Sequence, residues 1–282
     1  MKWKREANNR MGMKTSIEPQ TMPTVMQVQP IRTNFIMAKK ILDAYYPPEE
    51  FYIFITYAPL GYGKSTYDFK ACVEVLQRIY HITEEQAWEK LKEFIVFHPS
   101  QFFQKIKEIE ATGMKRVPFI VWEDMGLWLF ALAFHDPFIE AFIKYLNVAR
   151  THLASLVGST PSPEWVLRKL RRFPSAFTVR IAKINGDRSH THEATWTRTA
   201  TGYKFWLHAD LKHSGVRKCW EDTYNCKMPE SFFTWYKPLR DAYEDMALAL
   251  VMEKWDAISK DSHALILESY PNLKLPELTR FG

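Results

Sequence analysis

Cysteine is scarce in this sequence, which contains three in 282 residues. The three, at positions 72, 219 and 226, are too few and too scattered for the disulfide framework of a small secreted domain. Structural disulfides are rare in reducing compartments, so this shortage favours an intracellular protein.

A long uncharged apolar run is also missing. The most hydrophobic stretch, residues 117–135, contains Glu123 and Asp124. Charged side chains are rare within a bilayer because burying them in lipid is costly. The basic first residues are not followed by the apolar core of a secretory signal. We therefore expect a soluble, cytoplasmic protein with no membrane span.

The composition that remains is apolar, aromatic and basic. Hydrophobic residues make up 46% of the chain and aromatic residues 15%, which is ample for a packed core and excludes wholesale disorder. Lysine and arginine number 38 against 32 acidic residues, and the formal net charge is +6. This balance favours polyanionic partners such as nucleic acid, although many basic enzymes bind none.

The pattern along the chain predicts three regions. Residues 1–32 are polar and interrupted by Pro19, Pro23 and Pro30, which indicates a flexible leader. Residues 33–185 alternate between strand-like and helical segments and are predicted to form a core domain. Residues 186–282 are predicted to form a β-hairpin followed by a helical C-terminal region.

The alternation in the core predicts an α/β fold, because strands separated by helices form parallel sheets. A short helix before residue 47 is followed by five β-branched and aromatic runs, and helices are predicted between them at about 63–80, 83–93, 101–112, 127–150 and 163–173. We expect a three-layer α/β/α arrangement with a mostly parallel central sheet. The predicted strands are 51–57, 94–99, 117–122, 153–160 and 177–184.

The alternation stops after the fifth strand. The sequence TWTRTATGYKFWLHA has aromatic and β-branched residues on both sides of Thr201 and Gly202, which predicts a hairpin that turns there. An amphipathic helix is predicted over about residues 230–255. Its apolar positions recur at helical spacing and are expected to form a core stripe of Leu239, Tyr243, Met246, Ala247 and Leu250.

The sequence APLGYGKST directly follows the first predicted strand and opens a helix. In a P-loop, glycines let backbone amides surround phosphates at a helix N-terminus, a lysine reaches the β and γ phosphates, and the next hydroxyl binds Mg²⁺. An ordinary glycine turn is the alternative, but it does not require this strand and helix. We predict an ATP site at Ala58, Pro59, Leu60, Gly61, Tyr62, Gly63, Lys64, Ser65 and Thr66, called here the P-loop segment.

An acidic pair follows the third predicted strand, at the end where open α/β sheets bind ligands. Glu123 is predicted to hold the Mg²⁺ shell together with Ser65, and Asp124 to orient and deprotonate the attacking water. Their order leaves the two roles open to exchange. The alternative is a pair of solvated acids at a strand end.

Two hydroxyl residues, Ser159 and Thr160, end the fourth predicted strand. A polar side chain at this place can contact the γ-phosphate or position the water. Serine and threonine are frequent at strand ends, so the signal has low specificity.

The segments APLGYGKST, VPFIVWEDMG and LASLVGST resemble, in this order, the motifs of the additional-strand P-loop ATPases and, within them, of AAA+ proteins. The sequence EDMGLWL is similar to ATPases of archaeal viruses and plasmids that are related to replication initiators and helicase loaders. The resemblance covers about residues 33–184. The C-terminal helical lid and sensor arginine usual in AAA+ proteins are not visible in the sequence.

The resemblance implies further site residues and a homo-oligomer. AAA+ proteins commonly place an arginine at the end of the helix before the fifth strand and insert it into a neighbour's site, which points to Arg171 or Arg172 here. The alternative is a cationic helix end that suits the helix dipole. The resemblance also places adenine against the segment before the first strand, at Asn34, Phe35 and Ile36.

Residues 180–218 contain eight lysines and arginines against three acidic residues, with interleaved aromatic side chains. Cations bind phosphates and aromatic rings stack on exposed bases, so this basic aromatic hairpin is predicted to bind DNA. Its aromatic residues could instead be core residues of an ordinary hairpin. The aromatic residues are Trp196, Tyr203, Phe205 and Trp206.

A zinc site is not predicted from His208, His213, Cys219 and Cys226, because closely paired cysteines are missing. Together the motifs predict an ATPase that acts on DNA or DNA-bound partners, of the replication-initiation or helicase-loading type. A DNA-packaging or conjugative translocation ATPase and a non-motor ATP switch that gates protein assembly are the alternatives.

Overall fold

The computed structural model describes residues 34–113, 116–133, 135–184, 196–207 and 214–269. The predicted flexible leader, residues 1–32, lies outside these ranges. The strands are β1 Tyr52–Tyr57, β2 Ile95–Val96, β3 Ile120–Trp122, β4 Ser155–Thr160, β5 Ala176–Lys183, β6 Thr197–Leu207 and β7 Ser214–Asn225. They form a single sheet in the order β2-β3-β4-β1-β5-β6-β7.

The first five strands run parallel to one another, and β6 and β7 are antiparallel additions at one edge. The central strand β1, YIFITY, is apolar on both faces and almost wholly buried, as expected for a parallel strand covered on both sides. The helices are α1 Ile36–Tyr45, α2 Lys64–Tyr80, α3 Glu84–Leu91, α4 Pro99–Ala111, α5 Met125–Trp128, α6 Pro137–Leu146, α7 Arg168–Arg171 and α8 Glu230–Ser269.

The strand order places the helices in two layers. The crossover from β1 to β2 runs in one direction along the sheet and carries α2 and α3, whereas the later crossovers run back and carry α4, α6 and α7. Because such crossovers are right-handed, opposite directions put the helices on opposite faces. Ring contacts join Phe102, Trp122 and Phe142 on one face. The predicted α/β fold with a mostly parallel sheet is confirmed.

The second strand and the helix after it differ from the prediction. The predicted strand 94–99 is only Ile95–Val96, because Pro99 is the first residue of α4. His98 caps that helix by accepting a hydrogen bond from the Ser100 amide, and proline suits a helix start since it lacks the amide hydrogen. Thr83 caps the preceding helix, α3, and Gln86 closes a capping box with it.

Two predicted helices are broken into pieces. The segment 127–150 contains α5, α6 and a 3-10 turn at Ala149–Thr151, and the segment 163–173 contains a 3-10 turn at Pro163–Trp165 and the single turn α7. An isolated antiparallel bridge between Phe130 and Val166 joins the two segments. This pairing extends the backbone at positions where the apolar pattern alone predicts helix.

The predicted turn at Thr201 and Gly202 is wrong. Both residues lie within the long strand β6, which pairs with β5 on one side and β7 on the other. Gly202 faces the Trp220 indole so closely that a Cβ built on it would stand 2.2 Å from a ring carbon. The glycine therefore makes room for a tryptophan, and a bulge follows it before Tyr203.

The C-terminal helix α8 begins against the α2 and α3 side of the sheet. Phe232 contacts Phe69 of α2 and Trp88 of α3, and both Phe232 and Tyr236 are buried. The predicted core stripe further along α8 is not buried where it is described, because Leu239 is exposed and Tyr243 only half-buried, and the side chain of Leu250 lies outside the described residues. Among the α8 side chains that the structure describes, at residues 230–249, 251 and 252, the buried ones lie in the first two turns.

Candidate active site

The P-loop segment connects β1 to α2. Gly61 and Gly63 have φ angles of 76° and 86°, the left-handed region that favours glycine. Lys64 begins α2, and no acidic residue lies in the first turn of this helix. Its free amide groups and dipole therefore favour an anion at this end.

The Lys64 ammonium group is held inside the loop. Its Nζ donates hydrogen bonds to the carbonyl oxygens of Ala58 at 3.1 Å and Pro59 at 3.4 Å. Burial lowers the pKa of Lys64, while Asp124 and Glu123 oppose this shift. A buried cation whose hydrogen bonds within the described part of the chain go to two backbone oxygens is suited to accept an anionic ligand.

Ser65 and Glu123 meet at the entrance of the loop. The Ser65 hydroxyl donates a hydrogen bond of 2.6 Å to Glu123 Oε2. Glu123 is 1% exposed, and its other oxygen, Oε1, is buried with no hydrogen-bond partner among the described residues. Burial raises the pKa of Glu123 to about 7, and the negative charge of the neighbouring Asp124 contributes to this rise.

Asp124 has a backbone conformation unusual for a residue with a side chain. Its φ of 48° and ψ of 41° lie in the left-handed region, which costs a non-glycine residue on the order of 1 kcal/mol. This turn leads the chain directly from β3 into α5. Burial raises the pKa of Asp124, and Lys64 opposes the shift. An acidic residue with a strained backbone beside the P-loop segment is a candidate for a functional role.

The hydroxyl residues at the end of β4 have different surroundings. The Ser159 hydroxyl accepts a hydrogen bond of 3.3 Å from the Asp124 amide, so Ser159 lies at the acidic pair. The Thr160 hydroxyl donates to the Ser162 carbonyl oxygen at 3.0 Å. Of the two predicted residues, Ser159 is the one that contacts the pair.

A cavity of about 680 Å³ lies above the P-loop segment and the acidic pair. Its remaining walls come from the C-terminal part of the chain, for which the sequence predicted no role at this site. None of these residues is in a motif, but Tyr236, Arg240 and Glu244 recur every four residues, the spacing of one helix face. The C-terminal residues of the wall are Trp196, Arg198, Cys226, Lys227, Met228, Glu230, Phe233, Tyr236, Arg240 and Glu244.

The ends of β6 and β7 that lie at the candidate site hold the backbone of the P-loop segment. Arg198 is buried and its Nε donates a hydrogen bond of 3.3 Å to the Tyr62 carbonyl oxygen. The Tyr224 hydroxyl donates one of 2.8 Å to the Gly63 carbonyl oxygen. The two antiparallel strands thus support the loop from the side opposite to β4.

Tyr236 reaches the acidic pair from α8. Its hydroxyl donates a hydrogen bond of 2.7 Å to Glu123 Oε2 and lies 3.5 Å from the Ser65 Oγ. One turn later, Arg240 lines the same cavity and pairs with Glu244, with 3.1 Å between its Nε and the carboxylate. The positive charge of Arg240 lowers the pKa of Asp124, against the larger effect of burial.

The predicted adenine-binding residues have other partners. The amides of Asn34 and Phe35 donate hydrogen bonds to the Glu74 carboxylate, and the amide of Ile36 donates to Asp222. None of the three predicted residues lines the cavity above the loop. These contacts anchor the N-terminus of α1 to α2 and β7, and the structure does not bring the segment to the candidate site.

The predicted trans-acting arginines make contacts within their own chain. Arg171 donates hydrogen bonds to the Val166 carbonyl oxygen at 3.0 Å and to the Glu164 carboxylate at 2.7 Å. The guanidinium of Arg172 lies 4.8 Å from the centre of the Phe205 ring. Neither residue lines the cavity above the loop. Their insertion into a neighbour's site stays a prediction.

The basic residues of the 180–218 segment that the structure describes divide between two ends of the sheet. Arg198 lies at the candidate site, whereas Lys204 and Arg217 pair near the far end of β6 and β7. Trp206 lies eight positions after Arg198 in β6, a distance of about 25 Å. Trp206 is 45% exposed at that far end. The cations that the structure describes therefore do not form one continuous surface, and Arg188 and Lys212 lie outside the described residues.

The described residues contain no group of three or more His, Cys, Asp or Glu side chains placed to hold a metal ion. His208 and His213 lie outside those residues, so the rejection of a zinc site stays a prediction. Across the described ranges, no helix has the length and apolarity needed to cross a membrane.

No protein-family profile matches the chain. The chain is similar to the uncharacterized protein B-251 of Sulfolobus spindle-shape virus 1, with 23% identity over 228 residues that cover 80% of this chain and 87% of that protein. Among solved structures it is similar to a KaiC-like protein from the hyperthermophilic archaeon Pyrococcus horikoshii. That similarity has 12% identity and a TM-score of 0.32, and it covers 60% of this chain and 89% of the other. A similarity at this level supports no conclusion about function.

Proposed function

We propose that this protein binds ATP together with Mg²⁺ in the cavity above the P-loop segment and hydrolyses it. The observation that carries the proposal is the 2.6 Å hydrogen bond between Ser65 and Glu123. It brings the loop hydroxyl and the strand-end carboxylate to one point, beside a buried lysine and a helix N-terminus that favour phosphates.

The donor set fits Mg²⁺. This ion prefers oxygen ligands, keeps several of its waters and uses substrate phosphates, so it does not need a complete protein cage. Ser65 would bind it directly, and Glu123, with one buried oxygen lacking a hydrogen-bond partner in the described chain, would accept hydrogen bonds from its waters. When bound, the ion neutralises charge that develops on the transferred phosphoryl group.

The protein's own residues supply the other roles. Lys64 would contact the β and γ phosphates in place of the two carbonyl oxygens that it now contacts. Asp124 would orient the attacking water and accept its proton, and the raised pKa that burial gives this carboxyl suits a general base. Ser159 fixes the Asp124 backbone through its hydroxyl.

The strand order is compatible with the additional-strand class of P-loop ATPases. Strand β4 lies between β1, which leads into the loop, and β3, which ends in the acidic pair. The C-terminal helix α8 covers the acidic pair and supplies Arg240, a cation for the γ-phosphate side of the cavity. The assignment to AAA+ proteins and to the helicase-loader type remains part of this proposal.

DNA is the partner that we propose for the far end of β6 and β7. Trp206 and Val216 are exposed there, at 45% and 65%, next to the exposed cation of Arg217. Exposed aromatic rings beside cations suit unpaired bases and phosphates. Because β6 and β7 hold the loop backbone at their other ends, DNA bound here would act on the same strands that support the nucleotide site.

The ATPase rate with no DNA, with single-stranded DNA and with double-stranded DNA tests the proposal. We expect Mg²⁺-dependent hydrolysis that either form of DNA stimulates. Arg217→Ala together with Trp206→Ala should remove the stimulation and leave the basal rate within about twofold, because both residues lie far from the cavity. ATP binding with no DNA effect would instead support a non-motor switch, and translocation along DNA would support a packaging-type pump.

A further inference from the structure

Tyr236 of α8 lines the cavity of the candidate site. It is 3% exposed and packs against Phe69 and Phe232. The tyrosine hydroxyl is nevertheless directed at the acidic pair and donates a 2.7 Å hydrogen bond to Glu123 Oε2. A buried tyrosine whose hydroxyl donates a hydrogen bond to a carboxylate is held in a more defined position than an aromatic ring that only fills the core.

The two oxygens of Glu123 have unequal surroundings. Oε2 accepts hydrogen bonds from Ser65 and Tyr236, whereas Oε1 is buried and accepts none from the described residues. Buried carboxylate oxygens are almost always hydrogen-bonded, so an oxygen left without a partner indicates that a water or ion belongs there. Tyr236 and Ser65 thus fix one oxygen and leave the other available.

We propose that Tyr236 is a positioning residue for Mg²⁺. By holding Oε2, its hydroxyl orients Glu123 so that Oε1 accepts hydrogen bonds from water bound to the ion. The inference rests on the proposed MgATP function of the same cavity. The inference gives a role to α8, a helix that contains no sequence motif. Its tyrosine increases the gain in nucleotide affinity that Mg²⁺ provides.

Two other roles for Tyr236 make different predictions. If the ring serves only the aromatic core, phenylalanine at this position would retain its function. If the hydroxyl occupies the place of the ion, its removal would strengthen the effect of Mg²⁺. The positioning role alone predicts that Tyr236→Phe weakens this effect while the affinity for metal-free nucleotide stays the same.

The experiment measures the affinity of the full-length protein for a fluorescent, non-hydrolysable ATP analogue in EDTA and in Mg²⁺. For Tyr236→Phe we expect the affinity in EDTA to stay within about twofold of wild type. The increase in affinity produced by Mg²⁺ should fall by about tenfold, the effect of losing one hydrogen bond to a charged group. Binding of Mn²⁺ in the presence of the analogue, followed by its EPR signal, should weaken in parallel.

Tyr243→Phe is the matched control. Tyr243 lies on the same helix and stacks on Phe97, with ring centres 4.7 Å apart, but it does not line the cavity above the loop. Its substitution should leave both affinities and the Mn²⁺ signal unchanged. Thermal unfolding of both variants checks that the fold is retained.

Three outcomes for Tyr236→Phe would overturn the inference. These are an unchanged Mg²⁺ effect, a larger Mg²⁺ effect, and an equal loss of affinity in EDTA and in Mg²⁺. A wild-type protein that binds the analogue in neither condition would instead overturn the proposed function, and the inference with it. A wild type that responds to Mg²⁺ beside a variant that does not respond supports both.

Discussion

The side chains that residues 34–183 bring to the cavity follow parallel strands, whereas those from residues 196–269 come from antiparallel strand ends and one helix face. The first group includes Lys64 after β1 and Glu123 after β3. The second includes Arg198 beside the loop and Tyr236 and Arg240 on α8. One cavity thus has a wall formed by motif residues and a wall without any motif.

The difference shows how the two regions divide the proposed chemistry. Parallel strands converge at their carboxyl ends, so short motifs far apart in sequence meet there. The C-terminal region instead holds the backbone and side chains of the motif residues in position. It holds the loop backbone through Arg198 and Tyr224 and fixes the acidic pair through Tyr236.

The largest expected effect tests the motif wall. Lys64→Ala should lower the affinity for MgATP by at least about hundredfold, because a buried cation that faces the phosphates would be lost. Lys70→Ala is the control. Lys70 is a half-buried lysine further along α2, and its substitution should change the affinity by less than about threefold. Isothermal titration with a non-hydrolysable analogue measures both. Tight binding by the Lys64 variant would contradict the proposed site.

The acidic pair should separate binding from chemistry. Asp124→Asn keeps the side-chain shape but removes the base, so ATP binding should persist and the hydrolysis rate should fall by about 10²–10⁴-fold. Glu123→Gln should mainly raise the Mg²⁺ concentration needed for half-maximal activity. Rates measured across a Mg²⁺ series compare the two. The reverse pattern would exchange the roles of the two acids while leaving the site in place.

Arg240 tests whether the wall without motifs acts directly on the nucleotide. Arg240→Gln should weaken ATP binding by about tenfold and ADP binding less, because its cation lies near Asp124, on the γ-phosphate side. Lys237→Gln alters the same helix at an exposed position and should affect neither nucleotide. Equal losses for ATP and ADP would place Arg240 elsewhere along the ligand.

The smallest expected effect concerns stability and pH in the absence of nucleotide. The pKa of Glu123 in the folded state is about 7, above the value of 4.5 typical of an exposed glutamate. The folded state therefore keeps a proton that the unfolded state has lost, and the free energy of unfolding falls as the pH rises from about 5 to 7.

The glutamine of Glu123→Gln cannot titrate. As the pH rises over this range, the melting temperature of the variant should therefore increase relative to that of wild type, by on the order of 5 °C at pH 8. Thermal unfolding in EDTA at pH 5 and pH 8 measures the difference. A gap of the same size at both values would show that Glu123 does not carry the raised pKa. Glu140→Gln, at an exposed carboxyl of α6, should show no such trend.

The sequence by itself determined the parallel half of the fold and the motif wall of the cavity. Buried parallel strands are apolar along their whole length, and a loop that binds phosphates needs glycine and lysine at fixed spacing, so both leave a local signal. The structure places the P-loop segment and the acidic pair beside each other, and their roles stay a prediction. The strand 94–99 was overestimated because its aromatic residues continue into a helix start.

Only the tertiary structure decided what the C-terminal region does. Gly202 indicates a turn when it is considered with its sequence neighbours, but the reason for the glycine is Trp220 on the adjacent strand. Tyr236 and Phe232 fit any apolar helix face, and only their packing on α2 and α3 directs the tyrosine hydroxyl to Glu123. Contacts between residues that are distant in the sequence leave no local pattern in the chain, so only the folded structure shows them.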